Sequence, residues 1–223
     1  MIKSLKFINF QDLVECQSAT FCSKEAFLPI TYEFKPSNTY GLVSDFGCGS
    51  WGLSYCIGGK TSKQYNGKIL LNGEEIMADE LSQHSCFITE INYTDLSITQ
   101  ETSSPKECIE KALSISLLPY SVSQIKTLFC LSNDRFERPL AYVSGERWFI
   151  TMAINFALGK QIFCFPWLNE RDIVYFEIAY KQGIIKQLTS LGKIIIVPSS
   201  QKQVLRKYCD HIVIFDKQRI AYR

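Results

Sequence analysis

With 223 residues, 46% apolar side chains, and 24 lysines and arginines against 22 aspartates and glutamates, the chain is long and apolar enough to bury a sizeable core. The near balance of charge, without a lysine or arginine block, argues against a nucleic-acid partner. Nine cysteines without a CxxC pair, and two histidines, His84 and His211, argue against a disulfide scaffold and against a metal site. Cys56, Cys86, Cys130 and Cys164 sit in apolar runs and read as buried free thiols of a reducing cytosol.

The opening MIKSLKFINFQ alternates apolar and polar residues, the pattern of a first strand and not of a signal peptide. FLPITYEFK and TYGLVS read as strands separated by the turn PSN, and the second runs into the glycine-rich turn of YGLVSDFGCGSWGLSYCIGG and then an apolar helix. NGKILLNGEEI is a strand between two Asn-Gly turns, the acidic NGEEIMADE a solvated surface turn, and SCFITE another short strand. PKECIEKALSI, with proline in its first turn, and SVSQIKTLFCL predict helices, so residues 96–140 form a helical insert.

SGERWFITMAINFAL places Trp148, Phe149, Met152, Ala153, Phe156 and Ala157 on one inward face. QIFCFPW has the look of a fully buried parallel strand. A long helix is predicted over residues 171–191, ending at Gly192, and KIIIVPS is the next buried strand. HIVIFDKQRIAYR closes the chain as a hairpin turning at Lys217 and Gln218. Strands alternating with helices predict an α/β fold with a largely parallel core sheet. No stretch approaches the roughly 18 to 20 apolar residues that span a bilayer.

These pieces, in this order and at these separations, resemble the ATP-binding subunit of ABC transporters over nearly the whole chain. TYGLVSDFGCGSWGLSYCIGG is similar to that family's strand, Walker A loop and helix, and YNGKILLNGEEI to the strand and turn that follow. PLAYVSGERWFITMAINFAL resembles the signature motif with its helix, QIFCFPW lies where the Walker B strand falls, and GKIIIVPSSQKQVLRKYCDHIVIFDKQRIAYR resembles the switch-histidine strand, a helix and the terminal hairpin. The resemblance implies a P-loop NTPase-like α/β fold with a largely parallel core sheet, flanking helices and an N-terminal antiparallel β part. It implies one domain over 1–223, with a helical subdomain of about 96–158 inserted in the core.

A working Walker A loop, GxxxxGK[ST], cradles phosphates on backbone amides, neutralises them with lysine and holds magnesium with a hydroxyl. The matching residues are Ser44, Gly49, Ser50 and Trp51; Gly47, Gly49 and Gly52 keep the turn possible, but Ser50 has no positive charge and Trp51 no small hydroxyl. The Walker B aspartate and the glutamate after it fall on Pro166 and Trp167, the switch histidine on Ser199, and the family's glutamine on Glu90. Ser144, Gly145 and Glu146 resemble the signature motif, with one glycine fewer than LSGGQ or with Val143 in place of its serine. Phe21 is either the adenine-stacking aromatic or a strand-edge residue, and Cys48 either a reactive thiol or a passive small residue of the loop.

The resemblance therefore implies a catalytically degenerate subunit with no catalytic residue of its own, no metal site and no expected cofactor. ATP and magnesium would bind only if the degenerate site still held them, or at a shared dimer site. The implied partners are a transmembrane permease, received by the segment from Glu90 to about Ser104, and an active ATPase subunit in a heterodimer at the cytoplasmic side of the membrane. The alternatives are a slow ATPase using rearranged groups such as Glu90, Asp45 or Lys60, and a soluble regulatory protein that keeps the fold.

Overall fold

A computed structural model describes residues 2–18, 21–61, 65–89, 91 and 96–215. The chain opens with β1 (Leu5–Gln11), the hairpin strands β2 (Leu13–Ser18) and β3 (Phe21–Ala26), then β4 (Ile30–Phe34) and β5 (Asn38–Val43). A glycine turn enters α1 (Ser50–Tyr55), which continues as a π turn through Cys56–Lys60. β6 (Asn66–Leu71), β7 (Glu74–Ile76), α2 (Ala78–His84) and β8 (Ser85–Phe87) follow. The helical part holds α3 (Pro105–Ser116), α4 (Val122–Leu128), α5 (Asn133–Phe136) and, after two single 3-10 turns, α6 (Arg147–Ala157). The chain then runs through β9 (Ile162–Cys164), α7 (Ile173–Lys181), α8 (Ile184–Ser190), β10 (Ile194–Ser199), α9 (Lys202–Tyr208) and β11 (His211–Ile214).

Among the described residues, the core sheet has the strand order β11-β5-β10-β9-β8, every pair parallel. Its centre is the run IIIVPS, buried along its whole length because both faces are covered. The two-residue period sends Ile194, Ile196, Ile162 and Cys164 into one core, with Phe7, Phe34, Leu42 and Trp51. Ile195, Val197, Phe163 and Phe165 enter the other, with Met152, Phe156 and Phe176 from the helices. The first core is closed by the antiparallel sheet β4-β1-β6-β7, so the parallel sheet is sandwiched between strands and helices. This is the α/β architecture the sequence predicts. Among the described residues no helix is long and apolar enough to cross a membrane.

Several expectations need correcting. The helix predicted over 171–191 is two helices, because Gly183 takes a left-handed φ of 83° and ends α7 before α8 begins. The acidic NGEEIMADE is not one surface turn: Glu74–Ile76 pairs with β6 around the Asn72-Gly73 turn, and Asp79 and Glu80 sit in the first turn of α2, where the helix dipole favours them. Cys130 is exposed, since it turns the chain after α4 at φ 52°, whereas Cys56, Cys86 and Cys164 are buried as expected. Burial pushes the Cys56 and Cys164 thiols well up and that of Cys86 to about 12, which leaves them protonated and inert. Trp148 is half-buried, unlike the rest of its stripe. The β2–β3 hairpin carries no strong pattern in the sequence. The terminal turn at Lys217 and Gln218 lies outside the described residues.

One buried charge gives a pH dependence. Lys193 is 6% exposed, with its Nζ 5.3 Å from the centre of the Phe156 ring. Burial pulls its pKa down from 10.5 to about 8, with Cys86 weakly opposing. Below pH 8 both folded and unfolded chains carry the charge, and the full desolvation cost is present. Between about 8 and 10.5 the folded chain has released a proton that the unfolded chain still holds, so stability rises with pH through that window. Lys193→Met is expected to be more stable than the native chain at pH 7 by on the order of 2 kcal/mol, with the gain shrinking toward pH 10.5. Urea unfolding at a series of pH values checks it; a gain that does not shrink as pH rises would count against this account.

Candidate functional site

Ligands of open parallel sheets bind outside the carboxyl ends of the strands, and here β5 ends at the glycine turn. The turn is closed by the Cys48 amide donating to the Asp45 carbonyl at 3.2 Å, and the first helical bond, Leu53 N–H to Gly49 O, is 3.0 Å. Gly49 links turn to helix at φ 105°, a conformation that favours glycine. Asp45, Phe46 and Gly47 are exposed at the tip, Cys48 is half-buried, and Gly49, Ser50, Trp51 and Gly52 are buried.

The hydroxyls of Ser50 and Ser44 lie 2.5 Å apart, and Ser44 Oγ donates to the Asp45 carbonyl at 2.8 Å. Ser50 is wholly buried, its side chain held against the end of β5. Trp51 is 3% exposed and its indole stacks on Tyr55 within the core beneath the strands. Past β9 the chain stays alongside β10, with the Phe165 amide donating to Ile196 O at 2.9 Å and the Leu168 amide to Pro198 O at 2.8 Å. Between them Pro166 is half-buried, and Trp167 sets its indole N–H 3.4 Å from the Ser44 carbonyl while its ring meets Phe46 edge-on at 5.2 Å. Ser199 is wholly buried at the end of β10: its Oγ donates to Leu168 O at 2.6 Å and accepts from Gln201 N–H at 3.0 Å, and its carbonyl accepts the Ser44 amide at 3.3 Å. Ser44, Ser50, Trp167 and Ser199 thus gather at one place, each bonded to protein.

A residue that sequence reasoning missed completes the site. Glu25, near the end of β3 and 2% exposed, accepts the Gly49 amide on Oε1 at 2.5 Å and the Gly52 amide on Oε2. Burial holds its carboxyl above the usual range, and the two amides work in the opposite direction. Phe27, 1% exposed, lies beside it against the same turn. No local pattern marks Glu25 among the 22 acidic residues; the contact joins positions 24 and 27 apart in sequence.

Elsewhere, Ser144 and Gly145 are exposed in the 3-10 turn before α6. Glu146 turns away from them, accepting the Ser132 amide at 3.1 Å and pairing with Arg135 at 3.5 Å. Ser144, Gly145, Arg147, Trp148, Asp172 and Tyr175 line a cleft of about 230 Å³, in which the Trp148 and Tyr175 rings lie 5.1 Å apart. Lys60 closes the π turn at the opposite end of the helix from the glycine loop, and so is not brought to it. Phe21 opens β3 opposite Ser18, and Glu90 lies outside the described residues. Among the described residues no group of three or more His, Cys, Asp or Glu side chains is placed to hold a metal ion.

Comparison of the fold with solved structures returns ABC transporter subunits. A Pyrococcus furiosus protein assigned as an ABC transporter ATP-binding protein superposes with a TM-score of 0.65 at 16% identity, over 96% of this chain and 98% of the other. The ATP-binding subunit of an ABC transporter gives 0.63 at 16% identity, over 96% and 86% of the two chains. This chain has the fold of an ABC transporter ATP-binding subunit. CbiO1 of Clostridium perfringens, part of the ABC transporter complex cbiONQ, gives 0.67 at 13% identity, over all of this chain and 88% of its own. No protein-family model and no curated protein sequence matches the chain. In the ABC fold described here, the glycine loop, the ends of β9 and β10 and the turn before α6 are four of the places on which the sequence resemblance puts the family's motifs; the fifth, Glu90, lies outside the described residues.

Proposed function

We propose that this chain is a catalytically degenerate ATP-binding-type subunit of an ABC transporter, a non-hydrolysing structural or regulatory partner of an active ATPase subunit and a membrane permease. Its place would be the cytoplasmic side of the membrane, held there by the permease. The fold supports the subunit class, and CbiO1 is an example of the fold working within a transporter complex. The observation that carries the non-hydrolysing part is the Ser44–Ser50 pair: where the resemblance asks for a lysine reaching phosphate, a wholly buried hydroxyl is bonded to the strand end.

The other positions follow suit. Magnesium takes oxygen ligands, and the residue that should offer a hydroxyl is Trp51, whose ring is packed in the core. Pro166 and Trp167 have no carboxylate to polarise water, and the Ser199 hydroxyl is spent on Leu168 and Gln201. Phosphoryl transfer depends on positioning and electrostatic stabilisation, so these residues do not fit magnesium-ATP as a substrate. The exposed Ser144 and Gly145 remain free to face a partner's nucleotide.

The purified chain is expected to show no magnesium-dependent ATP hydrolysis above a buffer blank, and to co-purify from its source with a membrane protein and a second ATP-binding chain. Turnover that follows the chain through two unlike chromatographic steps would overturn the proposal. So would recovery of the native chain without either partner.

A further inference from the structure

We propose that Glu25 is a built-in ligand of the glycine loop, an autoinhibitory contact in which the β2–β3 hairpin supplies the anion that the loop's own amides receive. Its two carboxylate oxygens are divided between the amides of Gly49 and Gly52, one turn apart at the start of α1. Two backbone amides converging on one carboxylate form a small anion cradle, and a phosphate seated on this loop would compete for the same donors. The carboxylate is 2% exposed, so the donors it takes are closed to solvent as well as bonded.

The loop is shaped to admit the hairpin. A Cβ on Gly49 would come 2.7 Å from Phe27 Cβ, and one on Gly52 would come 3.2 Å from both Glu25 Oε2 and Phe27 Cδ1. Glycine at both positions leaves the room that Glu25 and Phe27 fill. A buried carboxylate without such donors is costly, and so are buried amides without an acceptor, so each side requires the other. Charge-assisted bonds of this kind are the stronger sort, and a phosphate must displace both at once. The plug is separate from the loss of a lysine at position 50: it blocks the amides whatever stands there.

This inference rests on the non-hydrolysing function proposed above, and its test does not use turnover. The native 223-residue chain, Glu25→Ala and Glu25→Gln are titrated calorimetrically with pyrophosphate without magnesium, and hydrogen exchange is followed at the loop amides. The native chain is expected to give no saturable binding and slow exchange at Gly49 and Gly52. Glu25→Ala is expected to bind pyrophosphate at least about tenfold more tightly than the native chain, with loop exchange roughly tenfold faster and slowed again by the anion. Glu25→Gln keeps the size and one acceptor, and is expected to fall between the two; it carries the test if the alanine variant does not fold. A cooperatively melting Glu25 variant that neither binds nor exchanges faster overturns the plug and leaves the function proposal standing. Native binding as tight as the variant's also overturns it, whereas ATP hydrolysis by the native chain overturns the function proposal instead.

Discussion

Replacing Gly49 by alanine is expected to lower the unfolding free energy by about 3 kcal/mol, while Gly47→Ala lowers it by only about 1 kcal/mol. Both glycines have positive φ, 105° and 80°, so both substitutions force an L residue into the left-handed region. They differ in what the new methyl group meets. At Gly47 there is nothing within 4 Å, and the cost is conformational; at Gly49 the Cβ would lie 2.7 Å from Phe27 Cβ, and a fully buried ring must move. Moving Phe27 also withdraws Glu25 from the loop, because the two are neighbours on the same short segment. In a domain of this size the Gly49 substitution should lower the melting temperature by roughly 6–12 °C. Urea unfolding of both variants at unchanged m-value is the measurement, and equal losses would mean that the hairpin does not seat on the loop as described.

How much of this was legible depends on whether the cause was local. The run IIIVPS announced a strand buried on both faces, and its neighbours IFCF and YGLV gave the same signal, so the parallel core could be read directly. The α6 stripe was legible too, apart from Trp148, which sits at the helix start, where burial gives way to an open cleft. Gly183 was hidden by apolar residues on both sides that keep helical spacing across the break. Asp79 and Glu80 are exposed surface charges, as the sequence suggests; what it does not show locally is that they open α2, where Glu80 Oε2 lies 3.4 Å from the Met77 amide that precedes the helix.

At the site, composition showed which groups stand at 50, 51, 166, 167 and 199 but not where they point. Trp51 reads as a misfit in a loop, yet its ring goes to the core. Glu25 was not legible at all, because a carboxylate on a polar hairpin acquires meaning only when the hairpin is folded against the turn. Nonlocal pairing of a polar residue with backbone donors leaves no periodic trace.

Ser199 gives the sharpest separation of a vestigial site from a structural one. If position 199 were a switch position that had merely lost its imidazole, there would be room to put one back. Instead the serine is wholly buried and its hydroxyl joins the Leu168 carbonyl to the Gln201 amide, while its own carbonyl holds the Ser44 amide at the head of the glycine loop. Ser199→Ala is expected to cost about 2 kcal/mol, because a buried carbonyl and a part-buried amide lose their partner. Ser199→His is expected to cost more, about 3 kcal/mol or above, since it adds overpacking to the same loss. Neither variant should hydrolyse ATP. Chemical unfolding ranks the three chains, and a histidine variant as stable as the native one would show that the space a switch residue needs is still there. The expected order, native above alanine above histidine, instead describes strand ends that have been knitted together by the same positions the resemblance assigns to catalysis. Restoring a group at such a position removes a bond before it can supply any chemistry.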